Sequence, residues 1–308
     1  MITRRLARPL AAWTCPSCTR ASLLPQQRLR QRMQQVRALS EVPKLSAHEE
    51  FSQEGIPGFM GADGYRIAWE QYQRMVVDKM NALVAGESFE NNTPKELVLR
   101  FARDPMAANI FNNASMAFNN HFFFKSLSTD PVPLDKFPTL KEDLIKSFGS
   151  IDALRTTMLD TADSMFGPGF VWLVYCNKLD GPGATSGGQY RILNTYNAGT
   201  PFPEAGYRQQ KLDMNNQNEA SFKAYQSSSP VNNTGAFGQF SASGKADSKL
   251  PPGGTSLIPI LCVNTWEHVY MRDWGVTGKR KYLSDWWDCI DWSAVERELP
   301  REFKLKFQ

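Results

Sequence analysis

Asn264-Thr265-Trp266-Glu267-His268 closes the apolar run Leu257-Ile258-Pro259-Ile260-Leu261-Cys262-Val263. A short apolar run that follows a Pro/Gly-rich segment reads as a buried strand. Its polar tip brings an amide, a carboxylate and an imidazole to the edge of a core. A histidine four residues past the first polar side chain of such a tip is a common way to build a metal site.

The residues on either side of this strand suggest its setting. Residues 208–255 are dominated by Gln, Asn, Ser, Gly and Lys. Few apolar side chains are available there to offset ordering entropy, which predicts a mobile polar insertion. Phe170-Val171-Trp172-Leu173-Val174-Tyr175 is a second strand by its β-branched and aromatic content. A Gly-rich turn at 181–188 leads to Tyr190-Arg191-Ile192-Leu193-Asn194, its antiparallel partner. That turn lacks the Gly-Lys-Ser/Thr ending of a phosphate loop.

Helices dominate the first half. Tyr65, Trp69, Tyr72, Val76, Met80 and Leu83 recur at helical spacing after a candidate N-cap, Asp63, and before Gly86. Thr93-Pro94-Lys95-Glu96 is a capping box with proline at the first helical position. Pro105 precedes a longer helix over Ala107–Lys125, so two long helices form an antiparallel hairpin. Pro131, Pro133 and Pro138 mark a subdomain boundary. Thr139–Glu142 reads as a second capping box, and Ser150 as the cap of a helix reaching Met165. Lys279-Arg280-Lys281 reads as a basic linker, and Trp286–Trp292 as an aromatic helix start. Helices first, then strands and helices mixed, give an α+β fold.

Charge divides the chain unevenly. It has 35 basic and 31 acidic residues, yet eight arginines and no acid precede Glu41. An Arg-rich, acid-free start with interspersed leucines predicts a mitochondrial transit peptide over 1–40, and Arg37-Ala38-Leu39-Ser40 resembles a matrix processing site. The remainder is net acidic, which disfavours general phosphate binding. No run reaches the roughly 18–20 apolar residues of a membrane-spanning helix, so no membrane partner is expected. Cys15 and Cys18 form one isolated CxxC without a second pair. Cys176, Cys262 and Cys289 are odd in number and widely spaced, as for reduced buried thiols.

Several motifs, in order, resemble the iron/manganese superoxide dismutases. Trp266-Glu267-His268 is similar to the family's C-terminal metal signature. Phe111-Asn112-Asn113-Ala114 with Phe118–Phe124 resembles its second-helix motif, and Gly167–Val174 its Gly-x-Gly-x-x-Trp-Leu-Val strand. Asn194–Pro201 and Trp286–Trp292 resemble two further segments. The resemblance implies an N-terminal long α-hairpin, then an α/β domain with a three-stranded antiparallel sheet. On that basis residues 41–130 are the lead-in and hairpin domain, and 131–308 the C-terminal α/β domain carrying the insertion.

The resemblance also implies a ligand set of three histidines and one aspartate. The corresponding positions here are Ala68, Asn120, Asn264 and His268, so only His268 keeps the family's residue. A slip of one residue would bring in His121 and still leave two ligands of four. The chain's only other histidine, His48, lies before the first helix. Tyr72 stands at a second active-site histidine, Val76 at a gate tyrosine, and Met116 and Ala198 at the two places that hold a solvent-binding glutamine. No catalytic residue, metal or cofactor is therefore expected. Glu267, His268 and Tyr270 are the candidate dimer interface, although the family's partner-contacting tyrosine is replaced by Met271.

A transit peptide ahead of a dismutase fold without its ligands resembles the superoxide-dismutase-like proteins of the fungal mitochondrial ribosomal small subunit. This implies a structural role in mitochondrial translation in the matrix, contacts with small-subunit ribosomal proteins, a heterodimer with a dismutase-like paralogue, and at most a minor rRNA contact. A residual matrix dismutase and a free, non-catalytic matrix binding protein are the alternatives.

Overall fold

Two aromatic helix faces pack together to begin the core. A computed structural model describes residues 40–102, 104–176, 189–205 and 257–300. The expected transit peptide apart from Ser40, the Cys15/Cys18 pair, the turn at 181–188 and the polar insertion at 208–255 lie outside the described residues. Helix α1 spans His48–Glu54, and α2 spans Ala62–Tyr65. A π-helical stretch, Arg66–Gln71, joins α2 to α3, Tyr72–Val84. Helix α4 (Pro94–Phe101) lies in the hairpin's link, and α5 (Ala108–Phe124) is its long second arm. Then come α6 (Pro138–Phe148) and α7 (Ile151–Ser164). Strands β1 (Gly169–Cys176), β2 (Gln189–Tyr196) and β3 (Leu257–Asn264) follow, with α8 (Glu267–Trp274), α9 (Lys279–Asp288) and α10 (Trp292–Arg297) after them.

The sheet order is β2-β1-β3, antiparallel throughout. The central strand β1 is buried along its whole length. Pro259 falls on β3, which among the described residues pairs only with β1, so its missing N–H removes no ladder bond from a central strand. One apolar cluster runs from Leu45 through Phe122–Phe124 and β1 to Leu299. It unites the hairpin with the sheet across residue 130. Trp172 and Trp286 are fully enclosed in it. Among the described residues no helix is long and apolar enough to cross a membrane.

Four local readings are corrected. His48 opens α1 rather than lying before the first helix. Asp63 does not cap the hairpin's first arm. Gly61 is the N-cap, and Asp63 sits inside the helix, paired with Arg66 at 2.7 Å and Arg272 at 3.0 Å. Thr139 does not cap α6 either, because Pro138 supplies the first helical turn with its fixed φ. Lys279-Arg280-Lys281 is the first turn of α9, so Trp286 and Trp287 close that helix rather than open one. Cations at a helix N-terminus oppose the helix dipole. Each is offset locally: Lys279 donates to the carbonyls of Asp163 and Met165, Arg280 pairs with Asp160, and Lys281 with Asp285. The capping box Thr93–Glu96 and the Ser150 cap form as expected.

Gly169 is fixed by a close approach. A Cβ there would meet the Thr195 carbonyl and the Met165 methyl. Its own carbonyl accepts from the Thr265 backbone N–H at 2.9 Å and from the Thr265 hydroxyl at 3.1 Å. Gly169→Ala must therefore push β2 from β1 while disturbing the turn after β3. A loss of about 1–3 kcal/mol is expected, read as a lower denaturant midpoint. An unchanged midpoint would show that the strands separate without strain.

Candidate functional site

The end of β3 is pinned from three sides. Tyr282 on α9 donates its hydroxyl to the Asn264 carbonyl at 2.7 Å. The Trp266 backbone N–H donates to Asn264 Oδ1 at 2.9 Å. Thr265 holds Gly169 at the start of β1. These contacts aim the remaining Asn264 group, Nδ2, at Asn120 Oδ1 on α5, 3.3 Å away. Asn120 Nδ2 in turn donates to the Ala68 carbonyl at 3.1 Å and to Gln73 Oε1 at 3.0 Å. Gln73 Nε2 ends the chain on the Ala117 carbonyl at 2.9 Å.

Three of the four sequence-predicted positions are thus in contact. Ala68, Asn120 and Asn264 meet in a fully buried place, joined by the equally buried Gln73. Sequence reasoning missed Gln73. A regular helix would turn Tyr72 and Leu83 inward, but the π stretch inserts an extra residue and advances the register. Gln73, Val77 and Val84 are buried while Tyr72 and Leu83 are only half-buried. The signal available in the sequence was weak: a glutamine beside the expected inward tyrosine.

His268 stands beside this network in an aromatic nest. Its ring stacks on Tyr72 with centroids 3.9 Å apart and planes at 21°, and Trp266 lies 5.7 Å from it. Burial pushes the imidazole down to about 4, so it is neutral at ordinary pH. Neither His268 Nε2 nor Trp266 Nε1 has a hydrogen-bond partner among the described residues. Tyr270 is buried against Tyr282, with ring centroids 5.3 Å apart, whereas Glu267 and His268 are half-buried. His121 also faces a desolvated place, near Trp69, and burial with help from Lys125 lowers it to about 4. Cys176, Cys262 and Cys289 are unpaired and buried, and burial raises all three thiols. They are poor nucleophiles.

The donor set does not fit iron or manganese. Asn264 Oδ1, Asn120 Oδ1 and Gln73 Oε1 each already accept a hydrogen bond. None is charged, so a divalent or trivalent ion would be buried without counter-charge. Among the described residues no group of three His, Cys, Asp or Glu side chains is placed to hold a metal ion. What the arrangement does chemically is self-satisfaction. A chain of neutral amides fills the space between α3, α5 and β3 with its internal donors and acceptors matched.

The fold and this site place the chain in a known class. Residues 136–228 and 232–298, more than half of the chain, match the model for iron/manganese superoxide dismutases, C-terminal domain, and the chain belongs to that family. It is similar to small ribosomal subunit protein mS43 of Schizosaccharomyces pombe, 28% identical over 257 residues, covering 80% of this chain and 82% of that one. Small ribosomal subunit protein mS42 of the same organism is 28% identical over 247 residues, 78% of this chain and 89% of the relative. An iron superoxide dismutase of Babesia bovis is 24% identical over 228 residues, 74% of this chain and 81% of the relative.

Proposed function

We propose that this chain is a structural component of the small subunit of the mitochondrial ribosome, built on a dismutase fold that has given up metal chemistry. The observation that carries the reading is the neutral run Asn264–Asn120–Gln73, where the family resemblance calls for a charged ligand set. Similarity to two proteins named for the small ribosomal subunit, over about four fifths of the chain, supports it. On this reading residues 1–40 direct the chain to the matrix, 41–130 form the lead-in and hairpin domain, and 131–308 the α/β domain.

The partners are small-subunit ribosomal proteins, and a second dismutase-like chain forms a heterodimer on the Glu267–His268 side. Supporting features are exposed apolar side chains, two of them close to Gly169, which pairs with Tyr196. Phe166 is 98% exposed and Tyr196 50% exposed, and Met271, one turn past Glu267, is 42% exposed. Large exposed apolar side chains mark protein contacts. Contact with rRNA is minor, because Lys279, Arg280 and Lys281 already hold internal acceptors.

Sedimentation of mitochondrial extract at high salt tests the assignment. The chain is expected to comigrate with the small ribosomal subunit. The purified protein is expected to carry no stoichiometric iron or manganese and to show no dismutation above a protein-free control. A light, metal-loaded, active peak would restore the dismutase reading. A light, metal-free peak would make it a free matrix protein.

A further inference from the structure

Asn81 is an unexpected residue for its place. It lies on the buried face of α3 between Met80 and Val84 and is 7% exposed. A buried amide is costly unless both ends are matched. Here both ends go to one residue. The Ser40 backbone N–H donates to Asn81 Oδ1 at 3.1 Å, and Asn81 Nδ2 donates to the Ser40 carbonyl at 2.9 Å. One side chain thus acts as a two-bond clamp across 41 residues of sequence. Beyond the clamp the chain is anchored at once: Val42 packs against the main core and Leu45 is buried in it. Ser40 also opens the compact unit to which the rest of the chain belongs.

The residues before the clamp are Arg37-Ala38-Leu39, an arginine three positions ahead of Ser40. We propose that Leu39–Ser40 is the bond hydrolysed on import, and that Asn81 is the seat of the new N-terminus. This rests on the matrix reading and moves the end of the transit segment to residue 39. The step is a peptide hydrolysis by a matrix endopeptidase. Water adds hydroxyl to the Leu39 carbonyl carbon, the C–N bond breaks, and the proton goes to the Ser40 nitrogen. The products are a Leu39 carboxylate on the released segment and an α-amino group on Ser40.

The seat suits the product better than the substrate. The Ser40 nitrogen keeps its bond to Asn81 Oδ1, and when protonated that bond becomes charge-assisted and roughly twice as strong. A cavity of about 400 Å³ lined by Ser40, Glu41, Gln73, Lys95 and His121 borders the seat and gives water room to accept the extra N–H donors. Cleavage therefore strengthens the clamp, and the amide of Asn81 is retained for holding the end of the chain.

The test uses the full precursor expressed in its cell, with the chain recovered from mitochondria and its N-terminal peptide identified by mass. A start at Ser40 is expected. Arg37→Ala is expected to abolish or displace that start. Asn81→Leu is expected to keep the start while removal of Ser40 from the purified chain by added aminopeptidase quickens at least tenfold, with the rest of the chain still folded. Asn81→Asp, which keeps an acceptor for the ammonium, is expected to restore most of the protection. A start two or more residues from Ser40, or an intact Met1 on protein recovered from the matrix, overturns the cut while the matrix reading stands. Unchanged trimming of Asn81→Leu by aminopeptidase overturns the seat. Absence of the chain from mitochondria instead defeats the matrix reading.

Discussion

Restoring the family's aspartate alone, Asn264→Asp, is expected to lower stability at pH 7 by up to about 4 kcal/mol. The position is fully buried, and its neighbours are amides and carbonyls rather than cations. The new carboxyl loses the bond from Nδ2 to Asn120 Oδ1 and faces that oxygen instead. Burial raises its pKa well above the roughly 3.9 of an unfolded aspartate. The cost is capped because the group takes up a proton rather than stay charged, and at about 1.36 kcal/mol per unit, protonation at pH 7 costs about 4 kcal/mol.

The sign gives the control. Between pH 3.9 and the raised value, folded Asn264→Asp binds more protons than unfolded, so its stability falls as pH rises. Measured against wild type at each pH, the deficit should shrink on going from pH 7 to pH 4. Asn264→Leu loses the same hydrogen bonds without a titrating group, so its deficit should stay constant with pH. For a domain of this size the pH 7 deficit corresponds to a drop in Tm of roughly 8–16 °C. Added iron or manganese should not restore it, because Ala68 still offers no donor atom and Asn120 only an amide held by Ala68 and Gln73. Full rescue by either metal would show that the site retains its coordination chemistry.

Much of this was legible because the signals are local. The apolar run into Asn264, the Phe111–Phe124 helix and the Gly167–Val174 strand each carry enough pattern to be placed alone, and their order identifies the fold. Of the four degenerate positions expected from the same patterns, the structure brings Ala68, Asn120 and Asn264 together. What could not be read is long-range or depends on register. The π stretch at Arg66–Gln71 shifts α3 by one residue, so Gln73, not Tyr72, completes the buried network. No propensity in that stretch announces the insertion. The clamp by Asn81 spans 41 residues, and nothing local marks it. Helix α9 was missed because three cations at a helix start break the dipole rule. The acceptors that offset two of them, Asp160, Asp163 and Met165, lie more than 110 residues earlier.

Acid should unfold this protein through its histidines before most of its carboxylates are protonated. Burial holds His268 at about 4, and burial with Lys125 holds His121 at about 4, while an unfolded histidine titrates near 6.5. Both folded values lie below the unfolded one. Above pH 6.5 both states are neutral and nothing is lost. Between 6.5 and 4 the unfolded chain takes protons that the folded chain refuses, so stability falls with pH, and below about 4 the loss is complete. Each shift corresponds to about 3 kcal/mol. Asp63, held low chiefly by its bond from Arg272, loses stability in the same direction but at more acid pH. Asp273, raised by burial, opposes it, being relieved of its cost as pH falls. The expected result is a denaturant midpoint that drops steeply from pH 6.5 to 4.5. His268→Phe keeps an aromatic ring on Tyr72 and has no proton to gain, so it should remove about half of that slope. His121→Phe should act separately, and the double variant should leave only the shallow carboxylate dependence. If His268→Phe titrates like wild type, the imidazole exchanges protons with solvent in the folded state, and the nest around Tyr72 and Trp266 is open rather than closed.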